Sequence, residues 1–271
     1  MWYAGVDLGW KSSVIALVSD DGLKVSPKRF SNQNPSAIMQ FISKYKPFRA
    51  VIEATGTYRW THDLLVKQGE VVLAHPYRLR AIWSAKAKTD KLDAKVLADL
   101  LRAGLMPKSY VPPPSYQILR DLTRARARLV QERTKVRNEL RGMLACANIE
   151  VPFVCPFGPQ GLKWLATLSL NPVAAIIRDE HIERLKHFER VLTEFDKRLQ
   201  MIAYKYPQTE VLTDIPGFAL YTALLVVAEF GEPCRFSHGG QAAAYAGLTP
   251  RVYQSGNVKF TGTSLSRVLP G

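Results

Sequence analysis

The sequence is poor in cysteine and poor in acid. Cys146, Cys155 and Cys234 are its three cysteines, odd in number, widely spaced and without a CxxC pair. That argues against a disulfide framework and against a cysteine-based zinc site. A reducing cytoplasm fits, and three partly buried thiols are the expected outcome. No run of about 18 apolar residues is present, so no transmembrane helix and no membrane partner are expected. The N-terminal Met-Trp-Tyr-Ala-Gly-Val-Asp lacks a basic region, and Asp7 interrupts its apolar stretch. It does not read as a signal peptide.

The shortage of acid is the more telling deficit. There are 23 Asp and Glu against 37 Lys and Arg, a net charge of +14. With 47% hydrophobic and 22% charged residues this is a folding composition, not a disordered one. A length of 271 residues allows about two domains, each with its own core. For a soluble chain this basic, nucleic acid is the default partner.

The order of patterns divides the chain into three stretches, 1–111, 112–205 and 206–271. The first reads as α/β. Tyr3 to Asp7 and Ser13 to Ser19 are short and rich in β-formers, and Asp20-Asp21-Gly22 is a hairpin turn signal before a third strand at Lys24 to Phe30. Ile38, Phe41 and Ile42 give helical spacing; Arg49 to Glu53 and Val71 to Ala74 read as strands, and Thr57 to Gln68 and Asp90 to Ala103 as helices. A mixed sheet with helices packed on it is predicted.

Pro112-Pro113-Pro114 marks a stiff boundary. Ser115 to Ala145 then reads as one long helix, with Leu122, Leu129, Val136 and Met143 recurring every seven residues as a short coiled-coil seam. Eight basic residues, Arg120, Arg124, Arg126, Arg128, Arg133, Lys135, Arg137 and Arg141, lie on it against three acids. Residues 151–172, broken by prolines, read as a loop region, and Asp179 to Tyr204 as a second long helix that pairs antiparallel with the first within one chain or between chains. In the third stretch, Ile215-Pro216-Gly217-Phe218 before an apolar helix at Leu220 to Phe230 resembles half of a helix-hairpin-helix, whose turn amides grip phosphate. Phe236 to Ala246 reads as another helix and residues 247–256 as a loop or short strand.

Four carboxylates invite a chemical reading. Asp7 and Glu53 each end a short apolar strand beside a glycine-bearing turn, and Asp90 and Asp93 share a helix face at spacing i, i+3. Four acids converging on one point repel unless a cation neutralises them, and hard oxygen donors suit Mg²⁺ or Mn²⁺. Such metals activate an attacking oxygen and stabilise a leaving one at a phosphodiester. Simpler readings stand beside this. Asp90 can be a helix N-cap, Asp93 a carboxylate favoured by the helix dipole, and Asp7 a turn residue. Arg78, Arg80, Lys86, Lys88, Lys91 and Lys95, interleaved with Tyr77 and Trp83, flank the second pair and suit a phosphate backbone and an unpaired base, or form a solvated loop. Ser255, with Arg251 nearby, has no neighbouring base to activate it and on chemistry alone reads as a turn serine.

The motifs together are more specific. Val6-Asp7 with Lys11, Ile52-Glu53-Ala54-Thr55-Gly56-Thr57-Tyr58 and Lys88-Thr89-Asp90-Lys91-Leu92-Asp93-Ala94 resemble those of the DEDD transposases. These are insertion-sequence enzymes related to the Piv-type DNA invertases, some of them guided by a bridge RNA. Ile215-Pro216-Gly217, Arg235-Phe236-Ser237, Ala244-Tyr245-Ala246-Gly247-Leu248-Thr249-Pro250 and Ser255-Gly256 continue the match in order. The resemblance implies a RuvC-like, RNase H-like α/β domain whose four acids, here Asp7, Glu53, Asp90 and Asp93, bind Mg²⁺. It implies a coiled-coil segment and a small, mainly α C-terminal domain bearing a serine nucleophile, here Ser255, that forms a phosphoserine link to DNA. Partners implied are DNA, a structured guide RNA and further copies of the chain in a dimer or tetramer. Lys86, Lys88, Lys91, Arg120, Arg124, Arg128, Arg133, Arg137 and Arg251 are the expected nucleic-acid contacts. Family members continue through a basic turn and several helices where this sequence reaches Gly271, so the serine domain is expected to be truncated. The alternatives are a nucleic-acid-binding remnant, a RuvC-like junction nuclease and, from Asp7-Leu-Gly-Trp-Lys, a sugar-kinase-like ATPase.

Binding carried by so basic a chain is predicted to be salt-sensitive, because phosphate contacts release counterions. A titration of DNA or RNA affinity from low to moderate salt is expected to show a steep fall, and a flat response would remove the argument from charge.

Overall fold

The computed structural model describes residues 1–82, 89–255 and 258–265, with side chains described as far as residue 249. Two compact units result, residues 1–111 and 112–271. Three of the expected nucleic-acid contacts and flanks, Lys86, Lys88 and Trp83, lie outside the described residues.

Unit 1 is a five-stranded mixed sheet in the order β3-β2-β1-β4-β5. Its strands are β1 (Trp2–Leu8), β2 (Ser12–Ser19), β3 (Lys24–Ser31), β4 (Phe48–Glu53) and β5 (Glu70–Ala74). The first three form an antiparallel meander, and β4 and β5 add in parallel beside β1. The central strands are buried on both faces, so they read as continuous apolar runs. One face carries Ala4, Val6, Ile15, Leu17, Ala50, Ile52 and Leu73 against α1 (Pro35–Ile42). Asn34 caps that helix by accepting from the Ala37 amide, and Pro35 occupies the first turn, where its missing N–H costs nothing. Near this face lies α2 (Tyr58–Leu65).

The opposite face is covered by α4 (Asp90–Arg102), which buries Ala94, Leu97, Ala98 and Leu101. Leu92, in its first turn, is 36% exposed. The packed side is instead built on alanine, because the helix runs very close to β1. A Cβ added at Gly5 would stand 2.0 Å from the Ala94 carbonyl oxygen and 2.6 Å from the Ala98 nitrogen. Glycine on the strand and alanine on the helix are what permit that approach. Between β5 and α4 lies α3 (Pro76–Ile82), a helix that the sequence pattern did not announce. It buries only Leu79, too little to leave a period.

The two sheet edges are finished differently. β3 pairs with β2 through an irregular register between Ile15 and Leu17, opposite Ser26 and Pro27. On the other side, Ala74 forms an antiparallel bridge with Lys108, and the Ser109 amide donates to the Leu73 carbonyl at 2.7 Å.

Unit 2 is dominated by α5 (Pro114–Cys146) and α7 (Pro172–Ile202). They pack antiparallel within the chain: Arg126 pairs with Asp196, Arg133 and Arg137 with Glu189, and Val136 and Leu140 pack against Leu185 and Phe188. Of the seven-residue seam Val136 is buried, and Leu122, Leu129 and Met143 are half-buried against the cores of this unit. Leu119, Thr123, Leu140 and Leu144 are buried beside them. The pairing is antiparallel and within one chain, one of the two arrangements expected. The region 151–172, expected to be loop, contains α6 (Pro159–Thr167), and α7 begins seven residues before the expected start. Prolines caused both differences: Pro159 and Pro172 stand in first helical turns, where they start a helix instead of breaking one.

α8 (Gln208–Thr213) and α9 (Leu220–Phe230) share one core with the long helices, through Leu119, Leu199, Tyr206, Leu224, Val227 and Ala228. No separate C-terminal domain stands among the described residues. α10 (Gly239–Tyr245) is shorter than its predicted span, and β6 (Pro250–Ser255) pairs antiparallel with β7 (Val258–Leu265), a strand beyond the last predicted element. All three cysteines are free and exposed, contrary to the expectation of partly buried thiols.

Gly5→Val is predicted to destabilise unit 1 by about 1–3 kcal/mol, the usual cost of overpacking a filled interior. Thermal unfolding of the variant measures it; an unchanged midpoint would mean that α4 does not press on β1 as described.

Candidate active site

The parallel pairing of β1 and β4 places Val6 beside Ile52, so Asp7 and Glu53 follow as neighbours at the same end of adjacent strands. Their side chains share a face. Residues two apart on a strand point the same way, so Asp7 follows Gly5 and Glu53 follows Val51 onto the face covered by α4. That helix runs opposite to β1. Its last turns reach the start of the sheet, where Asp99 pairs with Lys24 at 2.9 Å. Its first turn therefore lies at the end where Asp7 and Glu53 emerge.

Thr89 caps the helix, its hydroxyl accepting from the Leu92 amide at 3.3 Å. The reading of Asp90 as an N-cap is thereby corrected: the cap is Thr89, and Asp90 is the first helical residue. Asp90 is exposed and bound by Arg29 of β3 at 2.6 Å; Arg29 also donates to the Ser12 hydroxyl at 2.8 Å. Asp93 is half-buried, and its Oδ1 is buried without a hydrogen-bond partner. The four acids thus occupy one end and one face of the sheet, beside the positive pole of α4. No group of three or more His, Cys, Asp or Glu close enough to hold a metal ion occurs among the described residues.

Around this row, Tyr77, Arg78 and Arg80 of α3 and Lys91 and Lys95 of α4 are exposed. The sequence reading missed Arg29. Its signal was its place on β3, one strand from Ser12 in the register Val14–Arg29, which no periodicity of α4 could reveal.

The arginines expected on α5 separate into two kinds. Arg120 is buried, donating to the Ala228 and Glu229 carbonyls at 3.1 and 2.8 Å and lying 3.3 Å from the Glu229 carboxylate. Arg124 binds the same carboxylate through two nitrogens at 2.6 and 2.8 Å. That hydrogen bonding holds its guanidinium pKa above the ordinary value. Both side chains join α5 to α9, Arg120 from within the core and Arg124 from its margin. Arg133 and Arg137 share Glu189, and partial burial with Arg133 alongside lowers the pKa of Arg137. Arg128 is exposed. Ser255 closes β6, in register with Val258, and Arg251 stands on the same strand. Their side chains are outside the described residues. The Ile215-Pro216-Gly217 turn joins α8 to α9 as the motif predicts, with Gly217 at φ 89°, a conformation glycine adopts without strain.

Two family profiles, both of transposases, match the chain. The DEDD profile of the IS110 type covers residues 4–148, and the profile described as the IS116/IS110/IS902 transposase family covers residues 209–268. The chain belongs to the IS110-type family of transposases. It is 26% identical over 181 residues to the transposase of insertion sequence element IS1111A from Coxiella burnetii, covering 63% of this chain and 48% of that protein. It is 25% identical over 256 residues to the putative transposase y4qE of Sinorhizobium fredii, covering 92% of this chain and 63% of that one. It is 26% identical over 248 residues to a probable family 20 transposase of Pseudomonas aeruginosa, covering 85% and 69%. The chain therefore spans about half to two-thirds of the length of these relatives.

Thr89→Ala removes the cap of the helix that carries two of the acids. A loss of about 1 kcal/mol is predicted, measured by urea unfolding; a loss below a few tenths would show that the first turn is held by other means.

Proposed function

We propose that this chain acts in DNA transposition through a divalent-cation site on Asp7, Glu53, Asp90 and Asp93 and a nucleophilic serine, Ser255. The observation that carries the reading is the register of β1 and β4, which sets Asp7 beside Glu53 on the face covered by the helix of Asp90 and Asp93. The strand order, a three-stranded meander extended by two parallel strands, supports an RNase H-like, RuvC-like assignment of unit 1. The donor set fits Mg²⁺ or Mn²⁺: carboxylate oxygens only, one of them the buried and unpaired Oδ1 of Asp93. When bound, the cation polarises a phosphodiester and stabilises charge on its oxygens.

The chain's own residues supply the rest. Asp90 is held by Arg29 in an exposed pair, which costs little to break. Asp90 would be one of the residues to hold the cation, and the Arg29 guanidinium beside it would be placed to meet a phosphate oxygen. In the serine step, the Ser255 Oγ bonds to phosphorus as its proton passes to solvent. The phosphorus–oxygen bond to one deoxyribose breaks, and that sugar keeps a hydroxyl. The phosphoserine link preserves the bond for rejoining to a second strand. The α8–α9 turn, with its amides at Gly217, grips a DNA or guide-RNA phosphate. Further copies of the chain, in a dimer or tetramer, bring the acids of one to the serine of another.

Two substitutions test the two halves separately. Asp7→Asn is predicted to lower cation-dependent strand cleavage by at least a hundredfold while the protein stays folded. Ser255→Ala is predicted to abolish the covalent protein–DNA adduct, seen as a slow band on a denaturing gel. An adduct that persists in Ser255→Ala would refute the serine assignment without touching that of the acids.

A further inference from the structure

Three residues beyond Asp7 the chain gives a large aromatic side chain to solvent. Trp10 is 83% exposed, whereas Trp2 and Trp60 pack on the core of unit 1. An indole is costly to leave in water, since its burial is among the larger apolar gains available to a side chain. On a loose loop such exposure would carry no message. This turn is not loose. Asn32 donates through Nδ2 to the Gly9 carbonyl at 3.0 Å and to the Trp10 carbonyl at 3.1 Å. Its backbone amide donates to the Lys11 carbonyl at 3.0 Å. The Ser13 hydroxyl donates to Asn32 Oδ1 at 2.6 Å and fixes the amide itself. Gly9 closes the turn, its amide donating to the Ser12 carbonyl at 3.0 Å, and a Cβ there would stand 2.7 Å from that oxygen. Three successive carbonyls are thus tied to one asparagine, and the turn that carries Trp10 is pre-shaped.

We propose that Trp10 is a stacking platform for an unpaired nucleotide base beside the acid row, with Lys11 meeting that nucleotide's phosphate. The clamped turn, the exposed indole and the place of Trp10 at the strand end that carries Asp7 together point to this role. Every base has a π face, so stacking on an indole needs no particular sequence. The surroundings select this occupant over an apolar protein surface. Lys11, next in the chain, is exposed, and Ser12 beyond it accepts from Arg29, so the turn that presents the indole also carries cationic and polar groups. A rigid platform also loses little entropy on binding. Its consequence for the reaction is that the acids meet a strand whose base has left the stack. The inference rests on the proposed function in one respect only, that the strand reaching the acid row is nucleic acid.

The test is an equilibrium one, run with the full chain and a chelator so that no bond breaks. Fluorescence anisotropy compares a single-stranded DNA, an RNA of the same sequence and the blunt DNA duplex as probes. Trp10→Ala is expected to weaken binding of one or both single strands by about tenfold and to leave the duplex unchanged. Trp10→Phe is expected to keep most of the affinity, and a loss confined to DNA or to RNA identifies the strand that stacks. Equal affinities of Trp10→Ala and the unaltered chain for every probe would overturn the platform, as would an equal loss on all three. Because the readout is binding without cation, failure of the acid-row reading, seen in Asp7→Asn, leaves this comparison intact.

Discussion

The close passage of α4 over β1 is the constraint on which the candidate site depends. Gly5 has no side chain and Ala94 and Ala98 have small ones, so the helix backbone descends to the strand. Any bulkier residue at these positions would lift the helix and carry Asp90 and Asp93 away from the sheet. The acids are therefore held in place by residues with nothing chemical to offer. Thr89 fixes where the helix begins, and the parallel register of β1 and β4 fixes which strand ends are neighbours. Packing, capping and register each supply one coordinate of the same row.

Unit 2 uses its charge differently from what the net excess suggests. A basic helix of this length looks like a rail for nucleic acid, yet several of its arginines face inward. Arg120 and Arg124 converge on Glu229, and Arg126 lies 3.9 Å over the ring of Tyr221 while pairing with Asp196. Removing Glu229 would leave a buried guanidinium without its carboxylate, a far larger cost than loss of a surface pair. Much of the cation on α5 thus holds α7 and α9 in place. The charge left for a polyanion is correspondingly smaller and lies on exposed residues such as Arg128, Lys91 and Lys95.

What the sequence disclosed follows from how local each signal is. The strands of unit 1 were legible because Val14 to Val18 and Ala50 to Ile52 are short apolar runs between turn residues, and Asp20-Asp21-Gly22 closes its hairpin by itself. The acids were legible as strand-end and helix-start residues. Their common face was not, since it follows from a register between strands far apart in sequence. α3 escaped because a helix with one buried residue has no period, and α6 because its proline was taken for a breaker. The inward arginines could not be told from outward ones, as a charged residue shows its partner only when the facing helix is in place. Asn32 was silent for the same reason: its bonds reach back over twenty residues of chain to a turn it does not adjoin.

The finished edges of the sheet in unit 1 limit how anything can approach it. At β3, Pro27 offers no amide and the register slips beside it, while Lys24, Lys28 and Arg29 project from the strand. At β5, residues 107–109 pair with the backbone at Leu73 to His75, the end of the strand. A sheet with an open border can recruit a strand from another molecule and grow; the proline, the slipped register and the projecting cations make β3 a poor template for that. That favours recognition of unit 1 through side chains, which can be charged, aromatic and selective, over the indiscriminate ladder of main-chain hydrogen bonds.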